Sequence, residues 1–160
     1  MKITEALAIY AACLSTLVFF WNIIKATPKF KVDLIHGLEE NGDDYIGGLY
    51  ITVRNHSPHK IHIAGLDLLY QSEKSSIFRK LIHLLKYRNW SNSVGWVHCC
   101  PSLYGVEYKS PIELEAFQSH RLFIPEDTVN EIIEQGINRK IKAKAQDQLW
   151  RNKYSKALEY

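Results

Sequence analysis

Cysteine is scarce in this 160-residue chain: Cys13, then the adjacent pair Cys99 and Cys100. Neighbouring cysteines do not close a ring across an ordinary trans peptide, so no disulfide framework is expected. The spacings C-x2-C and H-x3-H are missing, which removes the common zinc sites. G-x-x-x-x-G-K-[ST], G-x-G-x-x-G and G-x-S-x-G are also absent, so no sequence signal marks a phosphate cradle, a dinucleotide site or a nucleophile elbow. A charge excess of one sign is lacking too. Twenty Lys and Arg against seventeen Asp and Glu leave +3, too small and too dispersed to point to nucleic acid, and no nucleic-acid partner is expected. A hydrophobic content of 46% with 23% charged residues excludes a disordered tail and a polytopic bundle. The length suits one domain with a short appendage, not an enzyme with separate cofactor and substrate lobes.

One long apolar run is present. Residues 6–24 (ALAIYAACLSTLVFFWNII) contain no charge and lie between Glu5 and Lys25. At about 1.5 Å per residue they nearly match a hydrocarbon core of about 30 Å. Residues 1–27 therefore read as a membrane anchor, with Ala6, Leu17, Phe19, Phe20, Trp21 and Ile24 among its lipid-facing side chains. Ser15 and Thr16 are expected to bond back to helix carbonyls, and Tyr10 and Trp21 suit an interface or a helix–helix contact. A cleaved signal peptide fits less well, because Lys2 is offset by Glu5, the run is long, and Ile24-Lys25-Ala26 is a poor processing site. Lys25, Lys29 and Lys31 outweigh Lys2 and lean the following domain towards the cytoplasm. Long segments are exported despite such a bias, so both topologies stay open.

Residues 28–160 switch to short alternating runs, the period-2 mark of half-buried strands. The run 50–54 (YITVR) precedes the turn cluster Asn55-His56-Ser57-Pro58, and 60–70 alternates with a phase shift at Ala64-Gly65 that reads as a bulge. Together they predict a hairpin. Asp43-Asp44 and Gly47-Gly48 read as a turn-rich approach to the first strand. Runs 112–115 and 121–124 flank a turn at 116–119, and 141–145 leads through Asp147-Gln148 into 149–154. A helix is predicted over 129–135, capped by Asp127 or Thr128 and stopped by Gly136. The fold class expected is mainly β: a small antiparallel sandwich with one or two inserted helices behind an N-terminal transmembrane helix.

The second inserted helix, 76–88, is basic and amphipathic. Ile77, Phe78, Leu81, Ile82 and Leu85 share one face, Arg79, Lys80, Lys86 and Arg88 the other, with Ser75 or Ser76 as cap. Two readings stay open: packing on a sheet edge, or contact with anionic lipid near the anchor or with a partner's groove. The contact reading names Phe78, Arg79, Lys80, Lys86, Tyr87, Arg88 and Trp90, with Trp96, Tyr104 and Tyr108 as an extension unless they are buried. His56, His59 and His62 are weak metal candidates, since strand residues three apart face opposite sides. No cofactor is expected. Asn55-His56-Ser57 and Asn89-Trp90-Ser91 fit the glycosylation triplet, which also occurs by chance.

The runs YITVRNHSPHKIHIAGLDLLY, PIELEAFQSHRLFIP and IKAKAQDQLWRNKYS resemble small immunoglobulin-like domains of bacterial and phage proteins tethered by one N-terminal helix. The last run looks like their closing hairpin, with Tyr154 on the return strand. The layout, one anchor ahead of a domain of some 130 residues without an enzyme motif, is similar to the superinfection-exclusion A proteins of temperate short-tailed phages. That resemblance implies residence in the bacterial inner membrane as a single-pass, non-enzymatic protein. It also implies interference with DNA entry by related phages, through a membrane or envelope protein or the ejected proteins of the incoming phage. A different expectation is an accessory subunit of a membrane complex, recruited through Tyr10, Ser15, Thr16 and Trp21. Least favoured is a metal protein or an enzyme using the three histidines or Cys99 and Cys100.

Overall fold

The computed structural model describes residues 3–42, 44–74, 76–88 and 93–160, with Asn41, Lys80 and Tyr87 described by their backbone. It opens with α1 (Ile3–Ala26), a 24-residue helix with no buried residue and a mean hydropathy of 2.0 over its most apolar window. The helix is long and apolar enough to span a membrane. It runs beyond the expected 6–24 because Ile3, Thr4, Glu5, Lys25 and Ala26 continue the same hydrogen-bonded turns. The Ser15 and Thr16 hydroxyls both donate to the Ala12 carbonyl, at 2.9 and 2.8 Å, as expected for polar residues in an apolar helix.

The rest is mainly antiparallel sheet. One sheet has the order β1 (Phe30–Asn41), β2 (Asp44–Asn55), β6 (Ser119–Pro125). The other runs β4 (Trp96–Cys99), β3 (Ile61–Gln71), β7 (Lys140–Asp147), β8 (Asn152–Tyr154). Two short strands complete it: β5 (Ile112–Leu114) on β3 and β9 (Leu158–Glu159) on β7. Inward residues of both sheets form one core: Val32, Leu49, Ile51, Val53, Ile63, Leu66, Leu68, Leu122, Ile124, Ile141, Ala143 and Ala145. Alternation places the main strands, since the inward set Leu49, Ile51 and Val53 of β2 and Ile141, Ala143 and Ala145 of β7 fall on every second residue and a slip by one would turn them outward.

The phase shift in β3 is real. Its ladder with β7 jumps between Ile63 and Gly65, so Ile61 and Ile63 before the bulge face the core together with Leu66 and Leu68 after it. Three expectations are corrected. First, β2 and β3 are not a hairpin: the residues between them cross from one sheet to the other. Asn55 shapes that corner, donating through Nδ2 to the carbonyls of His59 and Glu115, both at 2.8 Å, while its Oδ1 accepts from the Ser57 amide. Secondly, Gly47 and Gly48 lie inside β2. A Cβ on Gly48 would stand 2.2 Å from the Ile124 carbonyl oxygen, which is why glycine occupies a strand centre there. Thirdly, α3 (Glu126–Glu134) starts at the residue after Pro125, so Asp127 and Thr128 lie inside it and neither caps it. Glu126 and Asp127 instead meet the positive helix end.

Strand β1, FKVDLIHGLEEN, mixes an alternating start with a polar end, which hides its strand period. It pairs with β2 along its whole length, from Phe30 opposite Asn55 to Asn41 opposite Asp44. The helix α2 (Ile77–Tyr87) leaves the end of β3 and is capped by Ser76, whose hydroxyl accepts from the Phe78 amide. Ser75 lies outside the described residues.

Candidate interaction surfaces

The two ends of the sheets differ in what they carry. Thr27, Pro28 and Lys29 alone separate α1 from β1, and Phe30 pairs with Asn55. The end nearest the apolar helix is therefore made of the β2–β3 corner, the β5–β6 turn and the β7–β8 turn. Hydrogen bonds tie these together: His56 N–H donates to the Lys29 carbonyl (2.7 Å), Asn55 N–H to Gln118 (2.8 Å), and Gln148 N–H to His62 (3.2 Å). Strand β3 runs away from this end for 11 residues, about 33 Å at about 3.3 Å per step. Helix α2 sits beyond its far terminus.

Helix α2 does not pack on a sheet edge. Ile77 is 80% exposed, Phe78 77% and Leu85 75%, with Leu81 and Ile82 also exposed. An apolar stripe of this width in water costs free energy unless something covers it. Arg79 forms an ion pair with Glu73 just ahead of the helix, and Arg88 closes the helix in a left-handed conformation at φ 50°. Both are exposed, as is Lys86. Phe78, Arg79, Lys86 and Arg88 thus share one exposed element. The side chains of Lys80 and Tyr87 and the whole of Trp90 lie outside the described residues. Trp96, Tyr104 and Tyr108 do not extend the surface. Trp96 is half-buried with the Lys142 ammonium 4.0 Å from its ring centre, and Tyr104 and Tyr108 pack against the core. The Tyr108 hydroxyl accepts from the Leu66 amide and donates to the Leu66 carbonyl, sealing the β3 edge between β4 and β5.

At the opposite end, nearest the apolar helix, two turns present aromatic side chains from an unusual backbone. Phe117 (φ 60°) and Trp150 (φ 62°) are both left-handed, a conformation that costs bulky L-residues about 1–2 kcal/mol and that glycine or asparagine adopts freely. Both are exposed, by 73% and 81%, and Leu149 is exposed beside Trp150. The turns are well held. Asp147 Oδ1 accepts from the amides of Leu149 (2.9 Å) and Arg151 (2.8 Å), and its Oδ2 accepts from Arg151 Nε at 3.0 Å. In the other turn the Glu115 amide donates to Gln118 Oε1 and the Gln118 amide to the Glu115 carbonyl. Sequence periodicity gave no sign of these two residues. The positive φ values mark them.

The remaining candidates do not assemble. His56 and His59 are exposed in the corner, and His62 on β3 faces Glu113, its Nδ1 3.7 Å from the carboxylate. Among the described residues no three His, Cys, Asp or Glu side chains gather as metal ligands. Lys60 binds Glu113 (2.7 Å) and Glu115 (3.3 Å); the hydrogen bond from Lys60 holds the Glu113 carboxyl below its ordinary range. Cys99 is buried in β4, and burial pushes its thiol up, which makes it a poor nucleophile. Asn55 is buried with its amide bonded, so the first glycosylation triplet is closed to modification; the second lies outside the described residues. A cleft of about 530 Å³ lies between His36, Gly48, Glu126, Arg139 and Tyr160. The anchor residues Ala6, Leu17, Phe19, Phe20, Trp21 and Ile24 are all exposed along α1, and Lys25 Nζ lies 5.2 Å from the Trp21 ring centre. No family model, no curated protein and no solved structure matches this chain.

Proposed function

We propose that this chain is a non-enzymatic interaction protein of the bacterial inner membrane, a small immunoglobulin-like domain held at the bilayer by α1 and presenting α2 to a partner. The strand order supports the domain assignment. Taking β1, β2, β3, β6, β7 and β8 as the strands A, B, C, E, F and G of that fold, A, B and E share one sheet and C, F and G the other. The return strand also fits, with Tyr154 opposite Lys144.

The observation that carries the reading is the uncovered apolar face of α2 at the sheet terminus farthest from α1. That placement favours a protein partner over lipid beside the anchor, because a bilayer crossed by α1 is a strand length away. An amphipathic helix with exposed anchors at i, i+1, i+4, i+5 and i+8 suits an apolar groove on a membrane or envelope protein. Tethering raises the effective concentration for such a partner within the same membrane. Prophage superinfection exclusion, with the ejected proteins of an incoming short-tailed phage as the partner, is the sharpest form of this function. The Ser15 and Thr16 hydroxyls are spent on the Ala12 carbonyl, which weakens recruitment through the span.

The test is plating efficiency of short-tailed phages on a host that expresses the chain. Charge reversal at Arg79, Lys80, Lys86 and Arg88, and separately I77S/F78S/I82S/L85S, should restore plating while membrane insertion persists. Replacing the span by an unrelated apolar helix should leave exclusion intact. Exclusion that survives both α2 variants removes this surface from the reading. Reporter fusions after Tyr160 give the topology: a domain outside the cytoplasm supports encounter with incoming phage proteins, and a cytoplasmic domain favours an accessory subunit instead.

A further inference from the structure

We infer that the end of the domain nearest α1 is a second membrane-contacting surface, in which Phe117, Leu149 and Trp150 enter the headgroup layer of the bilayer that α1 crosses and hold the sheets upright on it. This rests on the spanning reading of α1 and goes beyond it, because a tether alone leaves the domain free to tumble.

Chain length sets the depth. A 24-residue helix spans about 36 Å, about 6 Å more than a hydrocarbon core of about 30 Å, so the helix ends within the headgroup layer. The Thr27 hydroxyl still donates to the Ile23 carbonyl, and only Pro28 and Lys29 remain before β1. The Lys29 carbonyl is itself bonded to the β2–β3 corner. The link is too short to lift the nearby turns out of the interface.

Composition fits that depth. Trp and Phe favour the boundary between headgroups and chains, and Trp21 with Lys25 marks the same level on α1. The acids at this end arrive with partners: Glu113 and Glu115 with Lys60, Asp147 with Arg151. Entry of the tips therefore strips water from no lone carboxylate among them. The backbone is the independent sign. Of the three non-glycine residues with positive φ among the described residues, two are these aromatic tips, in turns of different strands at one end of the fold. Residues held in a costly conformation cluster at functional sites, and these two are turned to solvent. Glycine or asparagine would form either turn more easily and offer the bilayer nothing.

The experiment uses the full chain, labelled with 5-fluorotryptophan, in nanodiscs of phosphatidylethanolamine and phosphatidylglycerol. A fraction of the lipid carries a nitroxide on its headgroup, and single Trp→Phe variants assign the fluorine signals. Trp21 and Trp150 should broaden several-fold, while Trp96, paired with Gln71 at the far end of β3, stays sharp. A sharp Trp150 beside a broadened Trp21 overturns the inference and leaves the anchor standing. Sharp signals from all three overturn both. Broadening of Trp96 as well means the domain lies flat, which also overturns the upright placement. The variant F117S/L149S/W150S supplies the control: α1 stays inserted, and Trp96 gains broadening as the domain loses its footing.

Discussion

Helices α2 and α3 are built alike and used differently. Both are short, amphipathic and inserted among strands. Helix α3 buries Val129, Ile132 and Ile133 against β2 and β6, whereas α2 leaves Ile77, Phe78 and Leu85 in solvent. The spacing of apolar residues is helical in each case. What differs is the neighbour: α3 follows β6 without a loop and folds back over the core, while α2 leaves the far end of β3 in the other sheet and finds no apolar surface to lie on. A helical stripe states that something covers it, not that the same chain does.

The largest expected effect separates the two helices directly. Ile132→Ala, at a fully buried site, should cost about 2–5 kcal/mol in a denaturant titration of the detergent-solubilised chain. The matching Ile82→Ala on α2 should change stability by less than about 0.5 kcal/mol. Comparable losses would mean that α2 is packed after all. Next comes the seat of α3. Gly48→Ala drives a Cβ into the Ile124 carbonyl of the strand that leads into the helix, and should cost about 1–3 kcal/mol in the same titration. An unchanged midpoint would show that β2 and β6 separate at little cost there.

The third prediction carries the opposite sign. Phe117→Asn relieves a left-handed aromatic residue and should stabilise the detergent-solubilised chain by about 0.5–1 kcal/mol. A destabilised variant would show that the Phe117 ring contributes to the domain itself. The smallest effect is on β6. Burial holds the His120 imidazole below its ordinary value of 6.5. The unfolded chain therefore takes up the proton first, and stability falls as pH drops through about 6.5 towards the folded value. His120→Gln should make the denaturation midpoint fall less steeply between about pH 7 and 5.5. A slope identical to that of the parent chain would refute the assignment.

Much of this was legible in the residues. The charge-free run announced α1, and the break in alternation at Ala64-Gly65 announced the bulge in β3. The apolar spacing of residues 77–85 announced α2. Other features were hidden for stated reasons. Gly47 and Gly48 read as a turn because glycine weakens strands in general, whereas at Gly48 the crowding of Phe123 and Ile124 demands the missing Cβ. Asn55 to Pro58 read as a hairpin turn because a turn cluster looks the same whether the chain returns to its own sheet or crosses to another.

Periodicity and length are properties of neighbouring residues, so the chain alone established one apolar spanning-length helix, alternating strands and an exposed-or-covered basic helix. Which sheet each strand joins, which helix finds a seat, and which turns meet at the end nearest α1 depend on residues far apart in sequence. Asn55, Gln118 and Lys29 become neighbours only when β1, β2 and β6 pair. Phe117 and Trp150, 33 positions apart, share one end of the molecule only because the two sheets close over a common core.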